Sequence, residues 1–167
     1  MKLTDFTDYG LRVLIYAALR PNELVTVQEI AQGFDIQRNH LVKVVVALSR
    51  AGFLTTVRGR SGGMQLARAP EKIRIGDVIR TMEPDFRVVE CFDIESNQCA
   101  ITASCGLRGI LSGALKAYFE YLDRFSLADL VVKRESLLKV LDTGVPVRIV
   151  RPQKSQKPVR AARAGEN

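Results

Sequence analysis

The stretch from Thr26 to Ala67 constrains the fold most, because it places a helix, a tight turn, a second helix and a hairpin in close succession. Thr26 and Glu29 form a capping-box pattern, in which each side chain satisfies a free backbone amide at a helix start. The short helix that follows is expected to bury one apolar face and to end in a turn supplied by Gly33.

A second helix is predicted over residues 37–51, with Leu41, Val44, Val45 and Leu48 facing inward. Two helices joined by a tight turn are typical of a helix-turn-helix. Arg, Asn and Gln make bidentate contacts to base edges, and Lys suits phosphates. A helical hairpin with a solvated polar face is the alternative. The candidate DNA-contacting residues of this helix pair are Gln28, Gln37, Arg38, Asn39, His40 and Lys43.

A basic hairpin is predicted directly after the helix pair. Residues 52–58 and 64–67 read as strands, and the glycine-rich segment 59–63 allows the backbone dihedrals of a hairpin turn. Such a hairpin can act as a wing that grips the DNA backbone or the minor groove, although a simple solvated hairpin has the same pattern. The candidate wing contacts are Arg58, Arg60 and Ser61.

A long helix is predicted from about Ile101 to Phe125, with Thr102 as a possible N-cap. Its apolar stripe is wider than a small winged domain can cover, which favours a symmetric dimer over a helix packed only on its own chain. Three glycines near its start each cost about 1 kcal/mol relative to alanine, so another backbone is expected to approach there. The glycines are Gly106, Gly109 and Gly113.

The expected fold is mainly α with a small β-hairpin wing: a winged helix-turn-helix domain plus a long dimerisation helix. We place the DNA-binding domain at residues 1–82, a cysteine loop at 83–105, the dimerisation helix and C-terminal helices at 106–142, and a disordered basic tail at 143–167. In the tail, basic residues recur every third position, which predicts nonspecific, salt-sensitive attraction to DNA. These residues are Arg148, Arg151, Lys154, Lys157, Arg160 and Arg163.

The overall charge of +7 is concentrated at the two ends of the chain and favours nucleic acid as a partner. No signal peptide and no apolar run of membrane-spanning length is evident, so we expect a cytoplasmic protein with no membrane partner. An enzyme is not expected. The chain has no evident nucleophile–base pair, paired catalytic carboxylates or phosphate loop.

The three cysteines, Cys91, Cys99 and Cys105, all lie in one polar loop. An odd number of cysteines in a cytoplasmic chain argues against a disulfide framework and for metal binding, redox chemistry or burial. Zinc and iron–sulfur clusters normally take four protein ligands. The fourth ligand would be a carboxylate, a small molecule or a residue of another subunit. These residues alone leave zinc, an iron–sulfur cluster and bare thiol chemistry open.

Several short segments together resemble the nitric-oxide-sensing NsrR repressors of the IscR-type winged helix-turn-helix family. The resemblance spans roughly residues 1–135 and implies a homodimeric iron–sulfur repressor, which releases operator DNA when nitric oxide nitrosylates its cluster. The segments are Leu3-Thr4, Phe6 to Arg12, Arg38-Asn39-His40, Leu48 to Gly52, Val57 to Gly63 and Ile73 to Asp77.

The resemblance also implies the ligands of a 4Fe–4S or 2Fe–2S cluster. Cys91, Cys99 and Cys105 match the family's cysteine ligands, and Asp8 matches an acidic residue that completes the coordination from the other subunit in some members. The gap between Cys91 and Cys99 is longer than in many NsrR proteins and is similar to that of RirA, an iron-responsive member. The alternatives are therefore an iron- or redox-responsive repressor on the same scaffold, or a zinc-stabilised constitutive DNA-binding protein.

Overall fold

The computed structural model describes residues 2–143, and that part of the chain forms seven α-helices and one two-stranded sheet. The helices are α1 (Asp5–Ala18), α2 (Val27–Phe34), α3 (Arg38–Arg50), α4 (Ile75–Met82), α5 (Gly106–Leu122), α6 (Leu127–Leu130) and α7 (Arg134–Thr143). The strands are β1 (Leu54–Val57) and β2 (Gly63–Leu66). Apart from Thr143, which ends α7, the basic tail expected from the sequence lies outside the described residues.

The hydrophobic core lies between the first three helices, the hairpin and α4. Each of these elements contributes apolar side chains that are removed from solvent, and such burial is the main favourable term in folding. The predicted inward face of α3 is confirmed, as is the mainly α fold with a hairpin wing. The fully buried apolar side chains include Val13, Leu14, Ile30, Leu41, Val44, Leu48, Ile73 and Val78.

The turn between α2 and α3 differs from the expectation. The capping box of Thr26 and Glu29 is confirmed, but the left-handed residue after α2 is Asp35, with a φ of 52°, and not Gly33. Aspartate is one of the few residues that tolerate this region, because its short polar side chain can bond locally. Gly33 lies inside α2 and permits close packing, since a Cβ there would lie 3.2 Å from the ring of Tyr16.

The wing is a short antiparallel hairpin whose pairing runs from Leu54 opposite Leu66 to Val57 opposite Gly63. The amide of Met64 donates to the carbonyl of Val25 at 2.8 Å, which attaches β2 to the segment before α2. A Cβ at Gly62 would overlap the carbonyl oxygen of Val57, so the turn requires glycine there. The wing is thus fixed to the helix pair at its base.

Helix α5 begins at Gly106, so the prediction that Thr102 caps its start is wrong. Thr102 instead opens a 3₁₀ turn over residues 102–104, and its hydroxyl donates to the carbonyl of Cys99 at 2.7 Å. The hydroxyl oxygen accepts from the side-chain amide of Asn97 at 3.0 Å, instead of from an amide at a helix start. Cys105 becomes the N-cap of α5, with no side-chain capping bond.

The C-terminal end of α5 is fixed to α4 by an ion pair. The guanidinium of Arg80 donates to both carboxylate oxygens of Asp123, at 2.8 and 2.6 Å, and lies 4.4 Å from the ring centroid of Phe119. The amide of Ile75 donates to the carbonyl of Phe125 at 3.0 Å. A paired Arg–carboxylate contact of this kind is among the stronger polar links between elements.

Most of α5 is not covered by the rest of the described chain. None of its residues is buried, and Leu107 and Ile110 are 55% and 70% exposed. Apart from the backbone of α5 itself and the residues next to each glycine, no atom of residues 2–143 lies within 4 Å of a Cβ placed at any of the three α5 glycines, so no other described segment approaches them. Across the same residues, no helix combines the length and the apolar character needed to span a bilayer.

Candidate DNA-binding surface and cysteine loop

The polar side chains at the start of α3 all point to solvent. Leu41, Val44 and Leu48 hold the opposite face of this helix in the core, which turns the polar face outward. The N-cap, Gln37, makes no side-chain capping bond, so the first amides of α3 have no side-chain partner there. A helix start of this kind attracts phosphate through its free amides and its dipole. The exposed candidates on the helix pair are Gln28, Gln37, Arg38, Asn39, His40 and Lys43.

The wing presents a second basic group. Arg58, Arg60 and Ser61 are exposed at the tip of the hairpin, in the turn between β1 and β2. The backbone bonds between Met64 of β2 and Val25, just before α2, join the wing to the helix pair as one unit. A winged helix-turn-helix uses its second helix in the major groove and its wing on the adjacent backbone, and the charged side chains here suit both contacts.

The three cysteines are spread along the loop between α4 and α5. Cys91 is half-buried in a 3₁₀ turn, Cys99 is exposed, and Cys105 is half-buried at the start of α5. None is in a disulfide. Among residues 2–143, no three His, Cys, Asp or Glu side chains lie close enough together to hold a metal ion. The three thiols of a single chain therefore do not form a metal-binding group by themselves among these residues.

Hydrogen bonds link the segments that carry the cysteines. Glu90, next to Cys91, accepts the amide of Gln98, next to Cys99, at 2.6 Å. Thr102 bonds both to the carbonyl of Cys99 and to the side chain of Asn97. These hydrogen bonds hold together the backbone segments on either side of the cysteines, and all of them are made by polar groups. The loop's isoleucines do not anchor it, because Ile94 and Ile101 are 84% and 65% exposed.

A second set of polar bonds braces the first half of the loop. The amide and guanidinium of Arg87 donate to Asp85, each at 2.6 Å, and lower the pKa of that carboxyl group. Asp93 accepts the hydroxyl of Ser96 at 2.7 Å and the amide of Glu95, and these bonds hold its pKa below the usual value. The loop is thus organised around ionised carboxylates.

Glu83 ties the beginning of the loop to the start of α1, a contact that the sequence analysis missed. Its carboxylate accepts the amide and the hydroxyl of Thr4, at 3.1 and 3.0 Å, and the hydroxyl of Thr7, which is fully buried. The partners are separated by more than seventy positions, so no local pattern could indicate the contact.

Asp8 lies in the first turn of α1 and is paired within its own chain. Its carboxylate accepts from the guanidinium of Arg12 at 2.6 Å, and its side chain is 44% exposed. Among residues 2–143, Asp8 belongs to no group of three or more His, Cys, Asp or Glu side chains that could hold a metal ion.

The donor set nevertheless fits a thiolate-ligated iron–sulfur cluster. Thiolates are the usual ligands of such clusters, and all three thiols are uncommitted to disulfides. Cys105 lies at the uncapped start of a 17-residue helix, where the helix dipole favours negative charge. Thiolates and the anionic group that they would hold are favoured there on electrostatic grounds.

Comparison with known proteins identifies the relatives of this chain. Residues 3–133 match the Rrf2 family model, described as an iron-dependent transcriptional regulator. The chain is 49% identical over 142 residues to the HTH-type transcriptional regulator NsrR of Bacillus subtilis, which covers 84% of this chain and 97% of the relative. It is 47% identical over 142 residues to NsrR of Bacillus licheniformis, covering 84% of this chain and 99% of that relative.

Among solved structures, IscR of T. potens superposes with a TM-score of 0.65 at 26% identity, over 81% of this chain and 90% of that one. The family match includes the winged domain, the cysteine loop and most of the helices after it, and it ends before the basic tail. The chain therefore belongs to the Rrf2 family of DNA-binding transcriptional regulators.

Proposed function

We propose that this regulator is an iron–sulfur cluster-dependent repressor, which acts as a homodimer in the cytoplasm, senses nitric oxide and then releases its operator DNA. The observation that carries the proposal is the cysteine loop. It holds three thiols free of disulfides and joins the winged domain to the uncapped start of α5. The similarity to proteins named NsrR supports nitric oxide as the signal.

Cys91, Cys99 and Cys105 would supply three ligands to a four-iron or two-iron cluster, and Asp8 of the partner subunit would supply the fourth. When bound, the cluster supplies iron that reacts with nitric oxide. Because a carboxylate is a harder ligand than a thiolate, the Asp8 bond is expected to be the weakest of the four. To act as a ligand, Asp8 must exchange its bond to Arg12 for one across the dimer.

The chain's own contacts provide the link from the loop to DNA. Loop and α5 meet at Cys105, and the other end of α5 is joined to α4 by Arg80 and Asp123. Helix α4 packs against α1, which in turn packs against α3. When thiolate ligation is lost, the loop keeps only its polar bonds, and the two recognition helices of the dimer lose their fixed spacing.

Partner contacts are expected along the uncovered face of α5. Leu107 and Ile110 are exposed, and the α5 glycines leave room for a second backbone. A contiguous apolar face of this kind marks an interaction site, and a two-fold arrangement would place two copies of α5 together.

The test is an anaerobic preparation of the full chain, analysed for visible absorbance, iron and sulfide, with DNA binding measured before and after nitric oxide. We expect a coloured protein that loses both its absorbance and its DNA affinity. Cys99→Ser should prevent loading, whereas Ser104→Ala, a nearby exposed control, should not. A colourless protein with stoichiometric zinc and unchanged DNA binding would support the zinc-stabilised alternative and refute the proposal.

Asp8→Ala tests the cross-subunit ligand separately. We expect a cluster that is lost more readily, together with an altered response to nitric oxide. Asp5→Ala is the matched control, because Asp5 lies one turn away and its side chain is 71% exposed. If Asp8→Ala changes neither the cluster loading nor the response to nitric oxide, Asp8 is not a ligand.

A second candidate function is iron or redox sensing on the same scaffold. The seven residues between Cys91 and Cys99 favour it, because this longer gap is similar to that of the iron-responsive member RirA. The same preparation distinguishes the two signals. If an iron chelator releases the protein from DNA and nitric oxide does not, the protein is assigned to iron sensing.

A further inference from the structure

The exposed face of α3 carries two valines among its polar groups. Val42 and Val46 are 38% and 44% exposed, whereas Val44 and Val45 of the same helix are buried. Among the residues that the structure describes, neither exposed valine belongs to the core or to the half-buried side chains packed against it. Valine also has a lower helix propensity than alanine. Neither core packing nor helix formation therefore explains these two side chains.

Basic side chains lie at both ends of this valine strip, Val42 and Val46. Arg38, Val42, Val46 and Arg50 recur every fourth residue, so they are successive neighbours in one row along α3. Lys43 lies beside the row, and all three basic side chains are exposed. The sequence of α3 contains no acidic residue. An apolar strip that is bordered by cationic groups fits a polyanion better than it fits an apolar protein surface.

The major groove of DNA offers an apolar group to such a strip, the C5 methyl of thymine. Arginine, asparagine and lysine recognise other groups, namely the donors and acceptors of guanine and adenine and the phosphates. Val42 and Val46 are four residues apart in α3, which is about 6 Å along the helix axis. Successive base pairs are about 3.4 Å apart. The two valines therefore span about two base-pair steps.

We propose that Val42 and Val46 are specificity-determining residues, which recognise thymine in each half-site by packing their methyl groups against its C5 methyl in the major groove. The proposal rests on the DNA-binding role of this regulator. A G·C pair at the same place would put polar base groups against the valines without a hydrogen-bond partner, and that mismatch costs affinity. The polar side chains of α3 then position the helix and read the neighbouring bases.

The test removes methyl groups first from the DNA and then from the protein. The probe is a duplex of about 30 base pairs that the anaerobically prepared full chain selects from a random-sequence library. A matched duplex carries uracil in place of the thymines of both half-sites. Each contacted methyl that uracil removes should weaken binding by the native chain about fourfold. Val42→Ala with Val46→Ala should bind the thymine duplex more weakly, and uracil should then make almost no further difference, because the contact is already lost.

Val140→Ala is the matched control, because Val140 is a 42% exposed valine in α7, outside the helix pair. It should keep the native affinity and the native response to uracil. A uracil effect of equal size in the native chain and the double variant would overturn the proposal while leaving the DNA-binding role intact. Selected duplexes without thymine in their half-sites would overturn it as well. If the native chain selects no duplex at all, the DNA-binding role itself is refuted.

Discussion

The winged domain and the cysteine loop are built on opposite principles. The winged domain is held by apolar side chains removed from solvent, such as Leu14 and Leu48, whereas no loop residue between Glu83 and Cys105 is buried. The loop depends on carboxylates and amides that bond to one another, such as Glu90 with the amide of Gln98. Net hydrogen bonds contribute about 1 kcal/mol each, so the loop is the part whose conformation a ligand can most easily reset.

The largest loss of stability that this contrast predicts is for a substitution in the core. Leu14→Ala should lower the free energy of unfolding by about 2–5 kcal/mol, because it removes a fully buried side chain and leaves a cavity. Ile94→Ala, in the loop, should change it by less than about 0.5 kcal/mol, since Ile94 is 84% exposed. Denaturant unfolding of both variants measures the difference. Comparable losses would mean that the loop is packed as tightly as the core.

The next largest loss of stability is expected at the contact between α4 and the end of α5. A Cβ at Gly76, in α4, would overlap the carboxylate of Asp123, so Gly76→Ala should break the pair with Arg80. We expect a loss of about 1–3 kcal/mol from overpacking, offset in part by alanine's better helix propensity. In an Asp123→Ala background the loss should largely disappear. A loss of the same size in both backgrounds would show that some other contact excludes the side chain.

A smaller effect is expected where the loop joins the winged domain through Glu83. Glu83→Ala removes the acceptor of three hydrogen bonds from Thr4 and Thr7, and should lower the free energy of unfolding by about 1–2 kcal/mol. Hydrogen exchange at the first turn of α1 should accelerate as well. Glu95→Ala, an exposed acidic residue within the loop, is the control and should leave α1 unchanged.

The same contrast explains how far the sequence could predict the structure. Where the signals are local, the predictions are confirmed: the capping box at Thr26 and the inward face of α3. The hairpin followed from its glycines and alternating strands, although its exact ends differ by one or two residues. Periodicity and capping act within a few residues, so they can be read without knowledge of the fold.

The loop could not be predicted in the same way, because its bonds depend on which distant or irregular groups meet. Thr102 looked like a helix cap but is bonded to Cys99, and Glu83 finds its partners on α1. The three cysteines were identified as a candidate site from their clustering alone, and their ligand role stays a prediction. No local pattern reports whether the thiols converge, since convergence depends on contacts between groups that are not neighbours in the sequence.

The smallest effect, and the most selective, is the response of the α4–α5 junction to acid. The guanidinium of Arg80 donates to Asp123 and holds the pKa of that carboxyl group below its usual value. A depressed pKa in the folded state contributes stability that is fully present above the ordinary value of about 4 and is lost as the pH falls through the lower, folded value. The stability difference between the native chain and Asp123→Asn should therefore be constant from neutral pH down to about 4, and should shrink at lower pH.

Unfolding curves of both proteins across this pH range measure the difference. Asp77→Asn is the control, because Asp77 is a weaker neighbour of Arg80 at 3.3 Å. A difference that persists unchanged at low pH would mean that the charge of Asp123 does not hold α5 on the winged domain, and the cysteine loop would then need another route to the recognition helix.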